Sequence, residues 1–198
     1  MTRRWKTAVV SGLILGIIAF LFTRFLEFQE SRADALGWIF DDPVFKVLPL
    51  KELSLPIFSI TYGALITYLI FYRKEDHFLS KLFLTYMFIL IYRMITMSIL
   101  PFREHPDLIY LQDPFLNNLI YPSKIDADLF FSGHTALIVG LFFLTKNKLF
   151  LIFSVLLGLF LMIQRVHYSI DILAAYPFAY LSYRSAQYVI ANWSLDHK

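Results

Sequence analysis

Asp128-Leu-Phe-Phe-Ser-Gly-His-Thr135 opens onto Ala136-Leu-Ile-Val-Gly-Leu-Phe-Phe-Leu144, and no Lys, Arg, Asp or Glu follows Asp128 until Lys146. Titratable groups therefore stand at the mouth of a strongly apolar helix, where a membrane helix meets the headgroups. An ionisable residue in that position is a functional candidate by default. The plainer alternative is an interfacial His134 at a helix start, capped by Ser132 and Thr135. The rest of the chain decides between them.

Outward from this stretch the apolar runs repeat. Residues 7–23 carry no charge behind the basic and aromatic collar Arg3-Arg4-Trp5-Lys6, which reads as an uncleaved first span, since no small-x-small cleavage site precedes Arg24. Residues 55–72 and 78–100 form spans two and three around the tight turn Arg73-Lys-Glu-Asp-His77. Spans four, five and six follow at 129–145, 149–164 and 170–190. Residues 27–54 read as a polar loop broken by Gly37, Pro43 and Pro49, with a short interfacial helix over 35–40 that holds Trp38. Residues 102–127 read as a second polar connection. Pro106, Pro114 and Pro122 break it, and Tyr110 and Tyr121 suit an interface.

With 58% hydrophobic and 18% aromatic residues and a mean hydropathy of +0.61, the chain holds more apolar side chain than one soluble core can bury. The expectation is an all-α integral membrane protein, a single domain over 1–198 made of a six-transmembrane-helix bundle. The net charge of +3 is not a nucleic-acid footprint, because the cations lie in short turns and not along one face. They sort by side: Arg3, Arg4, Lys6, Arg73, Lys74, Lys81, Lys146, Lys148 and Lys198 against Arg24, Arg32, Lys46, Lys51, Arg103 and Lys124 in much longer loops. That bias predicts cytoplasmic termini. Cysteine is absent, which excludes disulfides and thiolate chemistry.

Three polar sets then converge on the non-cytoplasmic rim. His134 and Asp128 stand at the start of span four. Gln164-Arg-Val-His-Tyr-Ser-Ile-Asp171 joins spans five and six, with His167 and Asp171 four residues apart. On a helix the carboxylate would fix the imidazole tautomer and leave the other nitrogen for nucleophilic or proton-transfer work. Tyr92-Arg-Met-Ile-Thr96 places Arg93 inside an apolar span, where insertion costs roughly 2.5–3.5 kcal/mol and a partner or cavity is required. A planar donor fork suits a phosphate, and Arg165 invites the same reading less strongly. No metal-ligand motif such as H-E-x-x-H occurs, so no metal or other cofactor is expected.

In order, Tyr92-Arg-Met-Ile-Thr-Met-Ser-Ile-Leu-Pro101, Asp128 to Thr135, and His167-Tyr-Ser-Ile-Asp171 with Tyr176 resemble three motifs of the sphingomyelin synthase family, a branch of the type 2 phosphatidic acid phosphatase superfamily. The resemblance spans about 84–190. It implies a six-helix membrane domain of that superfamily's kind, with an active site facing the non-cytoplasmic leaflet of a cell membrane. It also implies transfer of a phospho-headgroup from a phospholipid donor to a ceramide or diacylglycerol-like acceptor. His134, His167 and Asp171 would carry the reaction, with Asp128 as a further motif acid. Arg93, Arg165, Ser132, Gly133, Tyr168 and Tyr92 are the candidate substrate-binding residues. The phosphatase motif K-x6-R-P is missing, with Tyr86 at the Lys position and Met94 after Arg93, and Asp126-Ala127 stands where the family commonly has Cys-Gly. A lipid phosphatase using water, and a non-catalytic lipid-binding or lipid-moving protein, are the alternatives. The partners in each case are membrane lipids, and the oligomeric state is open.

Overall fold

The computed structural model describes residues 3–114 and 128–195; Tyr121, Pro122, Lys124, Asp126, Ala127 and Lys198, all named above, lie outside them. Six α-helices follow in order: α1 Arg3–Leu36, α2 Ser54–Phe71, α3 Phe78–Ile99, α4 Gly133–Thr145, α5 Lys148–Ile163 and α6 Ser169–Leu195. Among the described residues the only β-type pairing is an isolated bridge between Trp38 and Phe102. The protein is all-α. Three helices, α1, α2 and α3, are long and apolar enough to cross a membrane. At 13 and 16 residues, α4 and α5 are shorter, and α6 contains Pro177 and a more polar second half with Arg184 and Gln187.

Two expected boundaries move. The first helix does not stop near Arg24 but runs 34 residues to Leu36, a length of about 50 Å. The reason is a continuous buried stripe. Phe22, Leu26, Gln29 and Ala33 recur every three to four residues and are buried. Phe22 and Leu26 cluster with Leu90 and Met97 of α3, and the Gln29 amide donates to the Met97 carbonyl at 3.0 Å. The charged residues of 24–34 occupy the remaining faces and include an exposed Arg24–Glu27 pair. Gly37 ends the helix where a Cβ would fall 2.4 Å from the Ala33 carbonyl oxygen. The interfacial helix expected over 35–40 is therefore absent, and a 3-10 turn at Pro43–Lys46 takes its place, with the Asp42 carboxylate accepting from Val44 N–H.

The fourth helix begins at Gly133 and not at 129. Ser132 is its N-cap, accepting from Thr135 N–H at 3.3 Å. The apolar residues ahead of it plug the bundle instead of extending the helix: Leu129 and Phe131 are buried, and Phe131 stacks on Phe178 of α6 at 4.6 Å.

Helix α4 is the centre of the bundle, packing against α2, α3, α5 and α6, while α1 lies against α3. Ala136, Ile138, Val139 and Leu141 are fully buried there. The connection after α1 and the one after α3 lie over the end where α4 and α6 begin. Phe40, Phe45, Phe102 and Leu129 close around Tyr168, and Asp42 accepts from Ser169 N–H at the first turn of α6.

Gln164, at the end of α5, ties the same end together and is fully buried. Its side-chain oxygen accepts from Leu53 N–H at 2.8 Å. Its amide donates to Ser54 Oγ at 3.0 Å and lies within 3.3 Å of the carbonyls of Ile109 and Tyr110. Gln164→Ala leaves these groups buried and unpaired, and we expect it to lower stability by about 2–4 kcal/mol. Denaturant unfolding in detergent checks this. A loss below about 0.5 kcal/mol, the size of an ordinary surface substitution, would mean that water replaces the amide.

Candidate functional site

Antiparallel helices bring the end of α3, the start of α4 and the α5–α6 junction to one end of the bundle. Each contributes a polar group for a local reason. Arg93 lies in the penultimate turn of α3, buried among apolar neighbours. Its guanidinium sits over the Phe22 ring at 5.2 Å and forms a short ion pair with the Asp128 carboxylate. Thr96, one turn on, donates to Phe130 O at 3.1 Å, a second tie between α3 and the segment before α4.

That segment passes so close to Arg93 that a Cβ at residue 133 would displace the guanidinium. A Cβ there would lie 2.3 Å from Nη1 and 3.0 Å from Cζ. Gly133 is thus the gap through which the guanidinium reaches Asp128. Burial would raise the Asp128 pKa, but the Arg93 charge and hydrogen bond, helped by His167 and His134, outweigh it and hold the carboxyl below its ordinary value.

His167 lies two residues ahead of α6 and Asp171 in its first turn, so the two meet across the helix start and not along a helical face as the spacing suggests. Both are buried, with Nδ1 3.3 Å from Asp171 Oδ2. The same oxygen accepts from Tyr168 N–H at 3.1 Å, and the Asp171 carbonyl accepts from Ser132 N–H at 3.1 Å. The two motifs are therefore joined by a backbone bond as well as by charge. Asp171 Oδ1, Arg93 Nε and Thr135 Oγ1 are buried with no hydrogen-bond partner among the described residues. Buried polar atoms are rarely left so; Gln29 Oε1 and Thr85 Oγ1 share that state elsewhere, while these three belong to segments that meet at the start of α4, where Arg93 abuts Gly133 and Ser132 bonds Asp171.

His134 stands in the first turn of α4, half-buried. The charges of Arg93, Asp128 and Asp113 all act on its ring. Its contact with α2 is the edge of Phe58, at 5.7 Å between centroids and 76° between planes. Among the described residues no set of three or more His, Asp or Glu side chains is placed to hold a metal ion.

The remaining candidates sit differently. Arg165 is buried, but its donors are taken by Met162 O at 3.0 Å and by Phe45 O and Leu48 O at 2.8 Å each. Its guanidinium also covers the Phe45 ring at 4.3 Å. With a left-handed backbone at φ 59°, it ends α5 and clamps the 45–48 segment. Tyr168 is buried and donates to Arg103 O at 3.0 Å. Burial, with the nearby carboxylates of Asp171, Glu104 and Asp42, pushes its pKa up to about 12 against an opposing backbone hydrogen bond. Tyr92 points its hydroxyl at Ser185 of α6, 2.8 Å away. Ser132 serves as a cap. Gln164, Asp42 and Phe58 were not among the residues singled out from sequence. A buried glutamine next to Arg165 and a second carboxylate before Pro43 were the signals available, while nothing marked Phe58 among so many apolar neighbours.

No family model, no curated protein and no solved structure matches this chain.

Arg93→Ala should lower stability by about 2 kcal/mol, less than the ~3–5 kcal/mol of a fully buried broken pair, because the Asp128 side chain is 35% exposed. Gly133→Ala should produce the same defect, and the double variant should be no worse than either single one, as measured by denaturant unfolding. The pH dependence has a definite sign. A carboxyl with a depressed folded pKa contributes stability that is complete above its unfolded value, about pH 4, and that is lost as pH falls through the lower folded value. Asp128→Asn should remove that part of the acid limb.

Proposed function

We propose that this protein is a sphingomyelin synthase-like transferase. It would move a phospho-alcohol headgroup from a glycerophospholipid to a ceramide or another lipid alcohol through a phosphohistidine. The observation that carries the reading is the pairing of a carboxylate-held imidazole, His167 on Asp171, with Arg93, Asp128 and His134 at one end of an apolar helical bundle. The order of the three motifs supports the family assignment.

In this reading, Nδ1 of His167 faces Asp171 and Nε2 attacks phosphorus. The bond from phosphorus to the glycerol oxygen breaks, and His134 gives that oxygen its proton, releasing diacylglycerol. His134 then takes the proton of the acceptor hydroxyl, whose oxygen attacks phosphorus. The phosphorus–nitrogen bond breaks, the product lipid leaves, and both imidazoles return to their starting states. Arg93 has one unpartnered nitrogen and a carboxylate on the other side of its fork, which suits it both to hold Asp128 and to face a phosphoryl oxygen. Arg165 is given a structural role here, because its donors are bonded to backbone carbonyls.

The six-span arrangement belongs to this proposal too, with α4 and α5 crossing as short helices and the site on the non-cytoplasmic side. Reporters at Asp113 and in the Lys146–Lys148 turn should then report opposite sides. Finding both on one side would remove the six-span arrangement. A water acceptor would make the same residues a lipid phosphatase, and the absent K-x6-R-P motif favours the transferase.

Purified protein in nanodiscs with phosphate-labelled phospholipid should label a ceramide product when ceramide is present. Inorganic phosphate released from labelled phosphatidic acid, with no label reaching ceramide, would favour the phosphatase. His167→Ala should abolish any acid-labile phosphoenzyme and lower turnover by about 10³-fold or more. Asp171→Asn should fall between it and the parent. Activity should also survive exhaustive chelation; loss with EDTA and recovery with one added ion would overturn the mechanism.

A further inference from the structure

The two imidazoles are held by different means. His167 has its own carboxylate four residues on, in the first turn of α6. His134 makes no hydrogen bond through its ring among the described residues, and what meets it across the helix interface is Phe58 of α2. Phe58 is buried and stacks on Tyr62, one turn further along α2, at 5.9 Å and 22°. The Tyr62 hydroxyl donates to Asp113 Oδ2 at 2.6 Å.

Asp113 is itself held in place. Its neighbour Gln112 donates its N–H to Ser54 Oγ at 3.1 Å, and Ile109 is bonded to Gln164 through both N–H and carbonyl. Ser54, Phe58 and Tyr62 are spaced four apart, so one face of α2 carries all three contacts. The chain of contacts runs from an anchored loop, through a hydroxyl and two rings, to the imidazole that lacks a carboxylate of its own.

We propose that Phe58, Tyr62 and Asp113 are positioning residues for His134. They fix the plane of its ring from α2, as Asp171 fixes His167 from within α6. The inference rests on His134 as the proton-transfer group of the proposed reaction. An edge-to-face ring contact restricts rotation while leaving both ring nitrogens free, which a group that must give and take a proton requires. Loss of the hydroxyl bond would let Tyr62 and Phe58 shift together and release the imidazole into several rotamers.

The test uses the full chain in nanodiscs with isotope-labelled histidine, and the His134 ring signals assigned by their loss in His134→Gln. The parent should give one narrow set of His134 signals. Phe58→Leu should broaden or split them, Tyr62→Phe should do so to a smaller degree, and His167 signals should not move. Asp113→Asn, which keeps an acceptor oxygen, and Phe58→Tyr, which keeps a ring, should resemble the parent. In turnover, Phe58→Leu should lower kcat about tenfold with KM nearly constant for a diacyl donor, while the pre-steady-state burst of nitrophenol from a nitrophenyl phosphodiester, whose departure needs no proton, should keep nearly its parent rate. Unchanged His134 signals in both Phe58→Leu and Tyr62→Phe, or a nitrophenol burst slowed as much as diacyl turnover, would overturn the positioning role. If the parent turns over neither lipid, the transferase reading fails, while the ring signals still decide whether α2 fixes His134.

Discussion

The Arg93–Asp128 pair is the interaction on which this architecture turns. A guanidinium inside an apolar helix cannot shed its charge, so the fold has to bring a carboxylate to it. The carboxylate comes from a different segment, which forces the residues before α4 across the end of α3 and fixes where α4 starts. Gly133 admits the guanidinium, Ser132 caps the helix beside it, and Thr96 holds Phe130 from below. Because Ser132 also donates to the Asp171 carbonyl, the same strand of chain sets the position of α6. One electrostatic requirement thus aligns three helix ends, and with them both imidazoles.

The two buried arginines show how similar sequence signals separate in space. Arg165 satisfies its charge with carbonyl dipoles and an aromatic face, a complete arrangement that leaves its terminal nitrogens committed. Arg93 pairs with a carboxylate yet keeps Nε buried and unbonded among the described residues. An arginine with both terminal nitrogens bonded to backbone holds a loop together. Arg93 instead retains a buried donor, the property on which its proposed phosphate role rests.

Much of this was legible from residue order, and the failures have physical causes. The His167–Asp171 pair was legible from its spacing, although His167 stands ahead of α6 and the contact is made across the helix start, and Arg93 announced a partner because an isolated charge in an apolar run is costly. Its partner could not be read, since Asp128 is 35 residues away in sequence and meets it only through tertiary packing. The end of α1 was misplaced because charged residues at 24–34 suggested a loop, whereas the stripe Phe22, Leu26, Gln29, Ala33 continues the helix against α3. Burial of one face outweighed the polarity of the others. The start of α4 was misplaced for the opposite reason. Leu129, Phe130 and Phe131 look like helix, but the Ser132 cap excludes them; Phe131 fills space between α3 and α6, and Leu129 and Phe130 pack with Phe102 and Tyr168 under the connections.

The different tethers of the two imidazoles bear on how such a site would work. The His167–Asp171 contact spans four residues at the start of α6, so it is local in sequence and little affected by how the helices move against one another. His134 depends on α2 and on the 109–113 segment, which reach it only when the bundle is assembled. A group that must stay fixed through bond making and breaking is best held locally. A group that must meet first one oxygen and then another tolerates a contact that restrains its plane without occupying its nitrogens. The helix that carries this contact packs mainly against α4 and α5, whereas α3 is gripped by α1, α4 and α6. Movement of α2 would therefore alter the setting of His134 while leaving the His167–Asp171 pair and the Arg93–Asp128 clasp in place, so that α2 couples the mouth of the bundle to one imidazole and not to the other.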